Sequence, residues 1–143
     1  MAEKRIKKTH LDDYIGTKHV KAEYMNEDIA VKKGYARKNE DNHEWRKGYH
    51  VQYTNPDGST YDSWSPKDVF ERSYKCATTI VDRLYIERHE LSVRKQELEK
   101  SLLDGQIEPR QLALLLYQRL LMNEYIKVLE TRIALLENSA SKN

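Results

Sequence analysis

Apolar positions in the second half of the chain recur at alternating steps of three and four: Leu112, Leu115, Arg119, Met122, Ile126, Leu129, Ile133, Leu136. That spacing is a heptad seam and predicts one long helix between Pro109 and Glu137, with an arginine interrupting the seam. A second stripe, Leu114, Leu121, Val128 and Leu135, recurs at steps of seven, with Leu116, Tyr117 and Tyr125 filling in. One stripe packs against one neighbouring helix, and two stripes need two neighbours. Upstream, Ile80, Leu84, Leu91, Leu98 and Leu102 mark one other long helix, whose remaining faces are Arg, Lys and Glu. Thr79 and Asp82 form a capping box at its start, and Asp104-Gly105 predicts its end through a left-handed glycine. Glu108-Pro109 then opens the second helix with proline at the first helical position. So short a connection makes the pair an antiparallel hairpin. A hairpin alone buries little surface, so the leftover apolar face is expected to pack against another copy of the chain.

The first half alternates instead. Tyr14 to Ala22 alternates apolar and polar residues, weakened at Gly16, and predicts a strand; Met25 to Asn42 is polar and predicts irregular structure. Gly48-Tyr-His-Val-Gln-Tyr-Thr predicts a strand with Tyr49, Val51 and Tyr53 on one face and His50 and Gln52 on the other. Asn55-Pro56-Asp57-Gly58 is a turn, and Ser59 to Trp64 its return strand. Ser65-Pro66-Lys67-Asp68 predicts a capped short helix to about Tyr74, burying Val69 and Phe70 under the sheet. The expected class is α+β: a small antiparallel β module over 10–76, then an oligomerising hairpin over 77–138. Flexible tails are expected at 1–9 and 139–143.

Composition supports this division. Seven of the ten tyrosines, both tryptophans and four of the five glycines precede residue 76, whereas Leu11 is the only leucine there. Charged residues make up 34% of the chain and mean hydropathy is -0.89. No apolar run approaches the roughly 20 residues that span a bilayer, so no membrane role is expected. The basic N-terminus has no apolar stretch behind it and does not read as a secretion signal. Cys76 is the single cysteine, which excludes an internal disulfide and a cysteine zinc cage and fits a reducing cytoplasm. A formal charge of +2 is too small a bias for binding long DNA, but it leaves room for a local basic pocket.

No catalytic or metal-binding constellation stands out. His19, His43 and His50 lack the spacing of a metal site and read as residues of polar faces or loops. There is no glycine-rich phosphate loop, no paired carboxylate motif and no activated cysteine setting, so the chain reads as a binder with no catalytic residue, metal or cofactor. Arg119, flanked by Gln118 and Asn123, has two readings. It snorkels or pairs with a glutamate of the first helix, or symmetry gathers several copies of Arg119 and Gln118 around an anion that offsets their charge.

Two stretches carry a resemblance. Ile15-Gly-Thr-Lys18, Gly48-Tyr-His-Val-Gln-Tyr53, Asp57-Gly58 and Ser63-Trp-Ser-Pro-Lys-Asp-Val-Phe-Glu71 with Tyr74 resemble a module common in small phage proteins. The hairpin over 79–137 resembles one shared by two phage immune-evasion families, the anti-CBASS nucleotide sponges and the Thoeris anti-defence protein one family, and the module order here is that of the second. The resemblance implies a sponge that holds a cyclic nucleotide defence messenger without cleaving it. The messenger would be glycocyclic ADP-ribose, with cyclic di- or trinucleotides as further ligands, held by a homo-oligomer up to a hexamer in the host bacterial cytoplasm. A cyclic ADP-ribose needs cations for its pyrophosphate and an aromatic face for its adenine. Phe70, Arg72, Tyr74 and Lys75 offer both near the module boundary, with Arg88 and Arg94 of the first helix as further cations. Phe70 reads equally as core and Arg72 as solvated. Gln118, Arg119 and Asn123 would form a second anion site. The competing reading is a phage structural or assembly protein that uses the hairpin only to oligomerise.

Overall fold

A computed structural model describes residues 10–38 and 44–141. The chain forms two compact units, Met1–Ser73 and Tyr74–Asn143, each treated separately below.

The first unit is built on a three-stranded antiparallel sheet of β1 (Lys21–Tyr24), β2 (Gly48–Thr54) and β3 (Thr60–Pro66), in the order β1-β2-β3. The predicted β2–β3 hairpin is present. Gly58 turns it with a positive φ of 87° and donates its N–H to Asn55 O at 2.9 Å, while Asp57 accepts from the Ser59 N–H. The first strand is much shorter than the expected Tyr14–Ala22. Lys21 pairs with Gln52, so residues 14–17 lie past the hairpin turn, where β2 has no backbone left to offer. Tyr14 and Ile15 are accordingly exposed, and the Lys18 ammonium rests 4.3 Å from the Tyr53 ring.

The segment expected to be irregular holds a helix, α1 (Glu27–Lys33). Acids occupy its first turn and lysines its last, complementing the helix dipole. Gly34 ends it in the left-handed conformation with φ 81°. Ala30 is fully buried, as is Val51 of β2. Glu27 is also buried, held by the Arg46 guanidinium at 2.9 and 3.1 Å and by the Arg46 N–H at 3.1 Å. Those hydrogen bonds keep its carboxyl below the usual glutamate range. His43 and the tail 1–9 lie outside the described residues.

The second short helix, α2 (Lys67–Ser73), differs from expectation at its start. Pro66 is the last residue of β3, and the Lys67 N–H still donates to Lys47 O at 3.0 Å. The Ser65 hydroxyl points to Pro66 O instead of capping the helix. Phe70 is half-buried and stacks on Tyr49 with ring centres 4.2 Å apart, but Val69 is 46% exposed and not part of the core. Seven residues make two turns, and only one side of them meets the sheet.

The second unit is the antiparallel hairpin of α3 (Ile80–Leu102) and α4 (Pro109–Ser141). The Thr79–Asp82 capping box is formed in both directions at 3.0 Å. Leu84, Leu129 and Ile133 make the core, with Leu91 and Leu136 packed on it. The end of α3 departs from prediction: Leu103 caps it with right-handed geometry, and Gly105 has no positive φ. At the start of α4, the Glu108 carboxylate accepts from the N–H groups of Arg110 and Gln111, both at 3.1 Å. Helical structure continues to Ser141, into the stretch expected as a tail.

Candidate ligand-binding residues

The two stripes of α4 have opposite environments. The seam packs on α3: Met122, Leu129 and Ile133 are buried, and Leu115, Ile126 and Leu136 are half-buried. The second stripe is open, with Leu114 60%, Leu121 50% and Leu135 64% exposed. Leu116, Tyr117 and Leu120 widen this apolar surface. One helical partner covers one face of α4, and among the described residues of the unit that partner is α3.

Polar clamps along the hairpin edge fix the register. Tyr85 Oη donates to Glu137 Oε1 at 2.6 Å, Tyr125 Oη donates to Glu87, and Arg88 approaches Glu130 at 4.0 Å. The Glu137 carboxylate raises the Tyr85 phenol above its usual range. Arg88 is thus engaged, and its guanidinium also lies 5.3 Å from the Tyr85 ring centre. Arg94 is exposed on α3.

Arg119 sits in the seam, half-buried, and makes no ion pair among the described residues. Among the described residues no glutamate of α3 pairs with it: Glu99 is the partner of Lys95 at 3.7 Å, and Glu87 accepts from Tyr125. Gln118, exposed, and Asn123, half-buried, lie within a turn or so of it on α4.

The remaining candidates have more ordinary surroundings. Arg72 is exposed and folds back on its own helix, 3.4 Å from Asp68 O and 3.9 Å from the Asp68 carboxylate. Phe70 belongs to an aromatic cluster with Tyr49, and Tyr49 in turn meets Tyr24 at 4.6 Å. Tyr74, half-buried, and Lys75, exposed, belong to the segment that leads into α3.

The sequence did not single out the cluster around His50. Its Nδ1 faces Glu23 at 3.0 Å, its Nε2 faces Asp62 at 2.7 Å, and Tyr35 stacks on the ring at 4.3 Å. Burial alone would lower the imidazole pKa; the bonds to Glu23 and Asp62 outweigh it and raise the pKa. A carboxylate at each nitrogen favours the protonated ring, and the two contacts join all three strands. The signal for this lay in cross-strand register, which pairs His50 with Glu23 and places Asp62 one step along β3 on the same face. Among the described residues no group of three His, Cys, Asp or Glu is placed to hold a metal ion, and no helix is long and apolar enough to cross a membrane.

No curated protein and no solved structure matches this chain. Its helical hairpin does match a family: residues 78–135, from the cap of α3 to the last turns of α4, fit the model of the Sequestin family.

Proposed function

We propose that this chain is a signal sponge that assembles through α4 and sequesters a cyclic nucleotide defence messenger without degrading it. The single observation that carries the reading is an arginine in the apolar seam of the Sequestin-matched hairpin, half-buried and without an acidic partner among the described residues, on a helix whose second apolar stripe is open. A second copy laid along that stripe removes the exposed leucines from water at about 25 cal/mol per Å² of apolar surface. In this reading copies of Arg119 and Gln118 also come together, through the exposed part of the half-buried Arg119 and not through the open stripe itself. Gathered cations are costly unless an anion neutralises them. A cyclic nucleotide supplies phosphates spaced around a ring for the guanidinium groups and base edges for Gln118 and Asn123.

The messenger in this reading is glycocyclic ADP-ribose, with cyclic trinucleotides as the natural ligands of the Arg119 cluster and a hexamer as the working assembly. Phe70, Arg72, Tyr74, Lys75, Arg88 and Arg94 are the further aromatic and cationic candidates for ligand contact. The name of the family favours sequestration over a purely structural hairpin, and the unpaired arginine is the cation a sponge would use. The test is calorimetric titration of the intact chain with glycocyclic ADP-ribose, a cyclic dinucleotide and a cyclic trinucleotide. Saturable binding of at least one supports the reading; heat of dilution alone with all three removes it.

A further inference from the structure

The β module carries a groove of about 550 Å³, lined by Tyr24, Met25, Ile29, Lys47 and Lys67 together with Glu23. That is within the size range of small-molecule sites. One wall is aromatic. Tyr24 pairs with Tyr49 across β1 and β2, and their rings lie 4.6 Å apart. Tyr49 also stacks on Phe70 and hydrogen-bonds Glu71 at 2.8 Å, so the support behind Tyr24 is rigid. Tyr24 itself is 73% exposed, which leaves ring surface for another planar group.

The other wall is cationic. Lys47 and Lys67 stand opposite each other where the β2–β3 ladder ends, joined by the 3.0 Å backbone bond from Lys67 N–H to Lys47 O. Like charges directly opposite on neighbouring strands are unfavourable. Neither lysine has an ion-pair partner among the described residues. The one acid at the groove, Glu23, has its carboxylate on the His50 imidazole. An anion reached by both lysine side chains would offset their charge, and an exposed aromatic ring beside it suits a base.

We infer that this groove is a nucleotide-binding subsite of the β module, in which a purine stacks on Tyr24 and its phosphate sits between Lys47 and Lys67. Base–aromatic stacking and charge-assisted phosphate contacts are the two terms such a site uses. The inference is independent of how the hairpin assembles. It is tested on the full chain with adenosine 5′-monophosphate, adenosine and ribose 5-phosphate, followed by calorimetry and by NMR of the tyrosine rings. The nucleotide should bind more tightly than either fragment and shift the Tyr24 ring signals. Tyr24→Leu should weaken it by about tenfold or more, the loss of one stacking contact. The double variant Lys47→Gln, Lys67→Gln replaces two exposed side chains and should weaken it at least as much while Tyr24→Phe binds normally. Nucleotide affinity unchanged in the lysine variant, or ribose 5-phosphate binding as well as the nucleotide, would overturn the assignment, as would no saturable binding at all.

Discussion

Leu129 and Val128 are neighbours on α4 with opposite fates: Leu129 is fully buried against Leu84, and Val128 is 54% exposed on the other stripe. A rotation of about 100° per residue puts consecutive apolar side chains on different faces. The two positions therefore separate folding from assembly. Leu129→Ala opens a cavity in the hairpin core and should cost about 2–5 kcal/mol in thermal or chemical unfolding.

Val128→Glu and Leu121→Glu should leave the hairpin folded and break the assembly, because each places a charge in a dry contact between copies. Light scattering at micromolar concentration checks this. The parent chain should run as a stable multimer and both variants as monomers. A monomeric parent chain would show that the open stripe is not a contact between copies.

Arg119→Ala should keep both the fold and the assembly mass, since the side chain has no ion-pair partner among the described residues to lose. It should weaken cyclic nucleotide binding by roughly 1.5–3 kcal/mol for the loss of a charge-assisted hydrogen bond. Loss of assembly in this variant would mean that Arg119 holds the copies together directly.

His50 should make the stability of the β module depend on pH. Its folded-state pKa is raised above the ordinary 6.5 by Glu23 and Asp62. The stabilisation is thus fully present below the unfolded value and is lost as pH rises through the folded value. The module should be less stable, and unfold more readily, on the alkaline side of that window. His50→Gln should flatten the dependence, and a profile identical to that of the parent chain would remove the imidazolium from the account.

Gly48 is buried, and a Cβ there would meet the Ser65 carbonyl oxygen and the Trp64 ring. Trp64 is held in place by its indole N–H, which donates to Met25 O at 2.7 Å. Gly48→Ala should therefore destabilise the β module by about 1–3 kcal/mol through overpacking, read as a lower unfolding midpoint. Gly58→Ala should be costly for another reason, its positive φ.

Most of this fold is legible in the chain because its periods are clean. The heptad seam, the Thr79–Asp82 box and the Asn55–Gly58 turn each follow from local chemistry, and α3, α4 and the β2–β3 hairpin stand where that chemistry puts them. What is not legible depends on distant partners. The strand expected from Tyr14 shortens because β2 turns at Asn55, which no pattern around Tyr14 encodes. Helix α1 escapes notice because it is only seven residues long and its buried Glu27 is satisfied by Arg46, nineteen positions away. Asp104-Gly105 predicts a glycine end for α3, but Leu103 closes it within ordinary right-handed geometry. In the candidate site, Arg119 is visible as an interruption of the seam. The His50 cluster is not, because it needs three strands in register before the carboxylates meet the ring.

The proposed sponge holds its messenger and does not consume it. The most direct measurement is to incubate the protein with glycocyclic ADP-ribose, remove the protein-bound fraction, heat-denature it and analyse what is released. Depletion of free messenger followed by recovery of the intact molecule is the predicted result. Recovery of a cleaved product, or no depletion at all, would contradict it.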